Sequence, residues 1–209
     1  MPKNFISNKD ETVRMFKSDF MESFSRVHWS VPLWIYVPVI SVLLYRAFVV
    51  FELAVLTILL TLVFGIIVWS FTEYTLHRFV FHYEPKSEFG KRIHFIVHGV
   101  HHDYPKDSKR LVMPPSVSIP LASFFYFLFF QLFTLSNLQP FFAGFLIGYL
   151  FYDITHYAIH HYNTHNKFWL IIKNHHMKHH YQDSKKGFGV SQPTWDYVFK
   201  TDFTQKEQG

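Results

Sequence analysis

The sequence predicts an all-α integral membrane protein, with four transmembrane helices in two hairpins and a helical cap gathered on one membrane face. Three observations predict it. Apolar residues collect in four runs, at 31–50, 53–70, 119–135 and 140–152. Charged residues are only 17% of the chain and aromatic residues 21%, where a soluble domain averages about 25% charged. The 15 histidines fall almost entirely in the polar stretches that follow each pair of runs.

Each element follows in order. Residues 1–28 form an N-terminal segment; its first part alternates charge and polarity without an apolar core, so it is not a cleavable signal peptide. The first hairpin, 31–72, holds two runs close to the roughly 20 residues that span a bilayer core. Only Phe51 and Glu52 separate them, which argues against the helical core of a soluble protein. The second hairpin, 119–152, has shorter runs parted by Ser136, Asn137, Leu138 and Gln139, read as a tight turn; this pair is expected to tilt, to thin the bilayer or to span it incompletely. Residues 73–118 and 153–209 are histidine-rich and form the cap. No linker tract divides the chain, so 1–209 is one domain. Of the 20 lysines and arginines only Arg46 lies near the first inter-run loop. The excess of positive charge therefore places the N terminus and both cap segments in the cytosol.

Composition also excludes. The formal charge of +5 is not concentrated in a block, and no zinc-finger or RNA-binding signature is present, so no nucleic-acid partner is expected. The chain has no cysteine, so any metal must be held by histidine, carboxylate or backbone oxygen.

Histidine spacing supplies the chemistry. His98, His101 and His102 stand at i, i+3 and i+4, as do His176, His179 and His180, so each trio fans across one helical face. His156 and His160 form an i, i+4 pair. His77 and His82 are five apart, about 140° around a regular helix, so either the helix ends between them or they serve different metals. Ten imidazoles divide into about five for each of two ions, and nitrogen donors suit iron, zinc, copper or nickel. His94, His161 and His175 flank these groups as ligands or as hydrogen-bond supports to ligands, whereas His28 and His165 lack a spacing partner. Glu73, one turn before His77, and Asp153, three residues before His156, are placed to fix an imidazole tautomer.

With these motifs in place, the chain resembles the membrane fatty acid hydroxylase superfamily. Three stretches narrow the likeness to the fatty acid 2-hydroxylase branch: HGVHHDYPKDSKRLVMPP from His98, YDITHYAIHH from Tyr152 and GFGVSQPTWDYVFKT from Gly187. The likeness covers roughly 72–201. It implies that the ten histidines bind two iron ions, with zinc able to replace them in a purified protein. It also implies that O2 is the co-substrate and that one oxygen atom is inserted at carbon 2 of a free fatty acid or a sphingolipid acyl chain. Many eukaryotic members have a fused cytochrome b5 domain with a His-Pro-Gly-Gly motif, and no His-Pro pair occurs here. Electrons are therefore expected from a separate donor such as cytochrome b5 or ferredoxin with its reductase.

The acyl chain is expected to leave the lipid bilayer by an apolar groove between the four helices, with Arg110 a candidate for its head group. The location is multi-pass membrane, in the endoplasmic reticulum of a eukaryote or the inner membrane of a bacterium. Competing readings are a sterol oxidase or carotenoid hydroxylase with the same metal apparatus, and a zinc-stabilised scaffold. A metal transporter would place ionisable ligands within its spans, and these spans contain almost none.

Overall fold

A computed structural model describes residues 5–204. The described residues form helices and loops with no strand, in line with the all-α expectation. The helices are α1 Asp19–Ser23, α2 Val31–Tyr45, α3 Val55–Leu76, α4 Glu88–His94, α5 Val100–Asp103, α6 Pro115–Phe130, α7 Leu135–His161, α8 Lys167–Tyr181 and α9 Thr194–Phe199. Three wider π turns extend or join them: Arg46–Val50 after α2, His77–Phe81 after α3, and Phe95–Gly99, which welds α4 to α5.

Two helices are long and apolar enough to cross a membrane. Val31–Val50 has 20 residues and mean hydropathy 2.0, and Val55–Phe81 has 27 residues and mean hydropathy 2.4. The chain reverses between them through Glu52, whose φ of 49° lies in the left-handed region. Most of their apolar side chains, including Trp34, Val42, Leu56, Leu60 and Phe64, are exposed. The core runs instead along α7, which packs against α2, α3 and α6. Trp69 meets Phe145 and Tyr149 edge-on at 5.0 and 5.3 Å, a geometry that aromatic quadrupoles favour.

Backbone proximity fixes the α3–α7 pairing. A Cβ on Gly144 would fall on the Leu62 carbonyl, and one on Gly65 on the Phe141 carbonyl. Gly144 and Gly148 form a small-xxx-small spacing that lets two helix backbones approach without side chains between them.

The second hairpin turns earlier than the sequence suggested. Ser136, Asn137, Leu138 and Gln139 are not the turn but the first turn of α7, which begins at Leu135. Thr134 is its N-cap and accepts from the Asn137 amide at 3.4 Å, while Gln139 donates to the Leu135 carbonyl at 2.9 Å. Polar residues that read as a loop here serve a helix start: Thr134 satisfies a free amide, and the Gln139 side chain adds a bond to a carbonyl of the first turn. α7 then runs unbroken past 152, bringing His156 and His160 to the cap on the same rod that forms the core.

Candidate metal centre

The ten histidines singled out by spacing converge, and they do so as two groups of five. The outer group is His77, His82, His98, His102 and His179; the inner group is His101, His156, His160, His176 and His180. Within each group the ligand atoms all lie within 4.8 Å of one another.

Each trio is shared between the groups rather than devoted to one. His98 and His102 point to the outer group and His101 to the inner; His176 and His180 point to the inner group and His179 to the outer. The i, i+4 members share a direction, and the residue beside the second member is turned about 100° away.

His77 and His82 meet in one group, contrary to the regular-helix geometry expected of them. The turn between them is π, with the His82 amide donating to the His77 carbonyl at 3.1 Å. An i to i+5 bond returns residue i+5 to the face of residue i, and their Nε2 atoms stand 3.2 Å apart.

The donor chemistry fits a cation. His77 Nδ1 lies 2.6 Å from the Phe188 carbonyl and His179 Nδ1 lies 2.7 Å from the Lys186 carbonyl. A carbonyl only accepts, so both Nδ1 atoms hold the proton and both Nε2 atoms present lone pairs. Those lone pairs face other imidazole nitrogens: His77 to His98 at 3.0 Å and His179 to His82 at 3.0 Å. In the inner group His156 faces His101 at 2.9 Å, and His176 faces both His160 and His180 at 3.0 Å. Ligands about 2.1 Å from one ion at right angles are about 3.0 Å apart, the separation seen here.

Electrostatics keep the rings in their ligating form. Burial, reinforced by neighbouring imidazoles, pushes His98, His101, His102, His176 and His180 well below the ordinary histidine range. Burial also lowers the partly buried His82 to about 3 and His179 to about 4, the latter moderated by its hydrogen bond to Lys186.

The remaining predicted residues take other positions. His175 belongs to neither group and hydrogen-bonds to Asp196 at 3.0 Å. His161 stacks on Tyr157 with centroids 4.5 Å apart, and His94 also lies outside both groups. Glu73 was expected to steady an imidazole; its carboxylate instead accepts from the Val190 and Ser191 amides, each at 2.8 Å. Asp153 accepts from the Met113 amide at 3.1 Å and the Tyr149 hydroxyl at 2.9 Å. Each carboxylate pins a loop beside the histidines rather than a ring. Arg110 is not free for a head group: it is buried and paired with Glu22 at 2.7 Å and Asp107 at 3.5 Å.

Asp196 is the residue that spacing did not single out. It is wholly buried and accepts from the Phe188 amide at 2.8 Å, the Gly189 amide at 2.7 Å and the Thr201 hydroxyl at 2.7 Å, besides His175. It thereby fixes the loop whose carbonyls orient His77 and His179. Its sequence cue was its place in GFGVSQPTWDYVFKT, a stretch of family likeness in which spacing alone reads it as an ordinary helix acid.

An apolar cavity of about 490 Å³ reaches both groups, with His98 of the outer and His101 and His156 of the inner group in its wall. It is not the groove between four helices expected from sequence. It lies at the cap end of the helices: Phe81, Tyr152 and Asp153 join walls from α1, the Phe95–Gly99 turn, residues 110–114 and the start of α6.

Comparison with known proteins agrees with this architecture. A sequence profile described as fatty acid hydroxylase matches residues 62–201, a span that contains all ten histidines and Asp196. The chain is 39% identical to a dihydroceramide fatty acyl 2-hydroxylase of Arabidopsis thaliana, over 91% of this chain and 80% of the relative. It is 37% identical to the fatty acid 2-hydroxylase of Rattus norvegicus over 90% of this chain but 56% of that longer protein. The solved structure of full-length scs7p, in which only the hydroxylase domain is visible, superposes with a TM-score of 0.83 at 36% identity, covering 88% of this chain and 70% of that one. On the strength of this sequence and fold agreement, the chain belongs to the fatty acid hydroxylase family.

Proposed function

We propose that this protein is a multi-pass membrane enzyme that hydroxylates fatty acyl chains, free or amide-linked in a ceramide, at carbon 2. The observation that supports this most is an apolar cavity whose wall holds His98 of the outer group and His101 and His156 of the inner group. The relatives named for 2-hydroxylation of fatty acids and dihydroceramide match along nearly the whole chain.

The ten imidazoles would hold two iron ions, which when bound would supply the reduction of O2 and the transfer of one oxygen atom into a C–H bond. The balance is one acyl C–H, one O2, two electrons and two protons giving one alcohol and one water. The two electrons come from a separate donor such as cytochrome b5, or ferredoxin with its reductase. Zinc fits the same nitrogen donors but has no redox chemistry, so a zinc-loaded preparation would be inert.

The chain's own residues do the rest. Leu111, Val112, Met113 and Val100 line the cavity and exclude water from an acyl chain seated there. Asp196, acting through Phe188, and the Lys186 carbonyl hold two imidazoles in the tautomer that presents Nε2. Glu73 steadies the neighbouring residues 190–191.

In this reading α2, α3, α6 and α7 all cross the bilayer, with the cap in the cytosol. α6, with 16 residues, is about 24 Å long against a core of about 30 Å, so it needs local thinning. The membrane is the endoplasmic reticulum or a bacterial inner membrane, according to the source.

The test is mass spectrometry of acyl chains after incubating the iron-loaded protein with a reductant system and isotopically labelled O2. A 2-hydroxy product with one labelled oxygen is expected. A ring-hydroxylated sterol or carotenoid with no acyl product would replace this reading.

A further inference from the structure

The N-terminal segment lies outside the matched residues 62–201, yet it forms one whole side of the cavity through Phe16, Phe20, Met21 and Phe24. Three of these side chains also face outward: Phe20 is 70% exposed, Phe24 50% and Met21 48%. Phe20 and Phe24 pair edge-on with centroids 4.8 Å apart. The neighbouring walls come from Phe81, where the long apolar helix ends, and Val117, where α6 begins. α1 therefore sits at the level where apolar helices leave and re-enter the hydrocarbon layer, with its aromatic side chains at the edge of the cavity.

One carboxylate fastens this short helix. Glu22 is 5% exposed; one oxygen accepts from Arg110 and Arg26, both at 2.7 Å, and the other from the Met15 and Phe16 amides, both at 2.9 Å. Arg110 also donates to the Val13 carbonyl, and Arg92 to the Met15 carbonyl at 3.2 Å. With Arg110 neutralised by Glu22 and Asp107, the route from the outer surface to His98 is lined by apolar side chains, to which a lipid tail is matched and a polar metabolite is not.

We propose that α1 is the mouth by which a lipid acyl chain passes from the bilayer into the cavity. Phe20, Met21 and Phe24 touch the distal part of the chain and set which lengths are accepted, and Glu22 is the positioning residue that holds this rim in place. The proposal rests on the acyl-hydroxylase reading above. It adds a chain-length selector built from residues beyond the metal-bearing region.

The test uses the full chain in lipid nanodiscs and a fatty acid carrying a diazirine at its methyl end. After irradiation, adducts are expected on residues 19–24 and are displaced by unmodified fatty acid. Adducts confined to the outward faces of α2 and α3 overturn the proposal. In turnover assays with a graded series of chain lengths, Phe20→Ala and Phe24→Ala are expected to flatten the length profile and raise KM about tenfold, more than they lower kcat. An unaltered length profile in both variants also overturns it. Glu22→Gln is expected to reproduce the KM effect, and Glu22→Asp to restore part of the loss; both Phe positions are exposed, so their variants report even where a Glu22 variant fails to fold. Adducts on α1 in an iron-loaded preparation that makes no hydroxylated product when given O2 and a competent electron donor would uphold the mouth and refute the hydroxylase reading.

Discussion

The outer and inner histidine groups have the same number of imidazoles and the same Nε2 convergence, but they are secured differently. In the outer group His82 and His102 are only partly buried, and His77 and His179 are aligned by carbonyls of the loop after α8. In the inner group all five rings are buried, and the Nδ1 atoms of His101, His176 and His180 have no hydrogen-bond partner among the described residues. Two outer rings, His77 and His179, are oriented by carbonyl hydrogen bonds, whereas the buried inner rings of His101, His176 and His180 are held by the side chains packed around them. The lesson is that one polypeptide can build two similar ligand sets, one with two half-buried rings and carbonyl supports, the other wholly buried.

The largest expected effect separates adjacent residues. His101→Ala removes a buried inner ring whose place water cannot readily fill, so activity is expected to fall by more than about 100-fold, beyond the range typical of supporting residues. His102→Ala opens a partly exposed outer position that a water can occupy, and about a tenfold loss is expected. Equal losses, with equal metal loss by elemental analysis, would erase the distinction.

Next in size is Asp196→Asn, which disturbs the loop behind His77 and His179 without touching a ring of either group. The outer ion is expected to bind about 10–100-fold more weakly while the inner ion stays. Titration with a competing chelator would resolve the two, and a simultaneous loss of both ions would count against separate control.

Acid should act in the same order. An unfolded histidine titrates near about 6.5, whereas His82 and His179 in the fold are lowered to about 3 and about 4. The unfolded chain thus binds more protons over this range, so stability of the metal-free protein is intact above about 6.5 and declines as pH falls toward about 4. Bound metal pushes protonation lower still, and the outer ion is expected to leave first because water reaches His82. Metal content measured after stepwise acidification should show two releases; one concerted release would join the groups into a single unit.

The smallest effect is expected from His175→Gln, which weakens one of several bonds to Asp196. About 1 kcal/mol of stability is at stake, with two metals retained. Loss of either metal would make His175 more than a support.

Much of this was legible in the sequence, and the limits have physical causes. Spacings of three and four residues identify His98, His101, His102, His176, His179 and His180 because α-helical geometry is regular. The membership of each group was not legible, since both groups draw on both trios and only the tertiary arrangement of the helices decides which ring faces where. That His77 and His82 share a group was not legible because a π turn leaves no clear spacing signal. The turn before α7 was misplaced because Ser136, Asn137 and Gln139 serve a helix start as well as a loop. α1 and its Glu22 tether escaped notice because their partners, Arg110 and the cavity, lie about 90 positions away, with Glu22 and Arg110 separated by 88.

The loop that follows α8 bears on how the protein is made. Its Phe188 carbonyl aligns His77 across 111 positions of sequence, and His179 reaches His82 across 97. During synthesis the early helices emerge while the partners that complete either ligand set are still untranslated. A nascent chain ending before α8 would own the apolar helices and several imidazoles but neither full group. If the two groups hold metals as proposed, their acquisition would be a closing event of biogenesis, and metal content would report whether a chain has been finished as well as whether it can react.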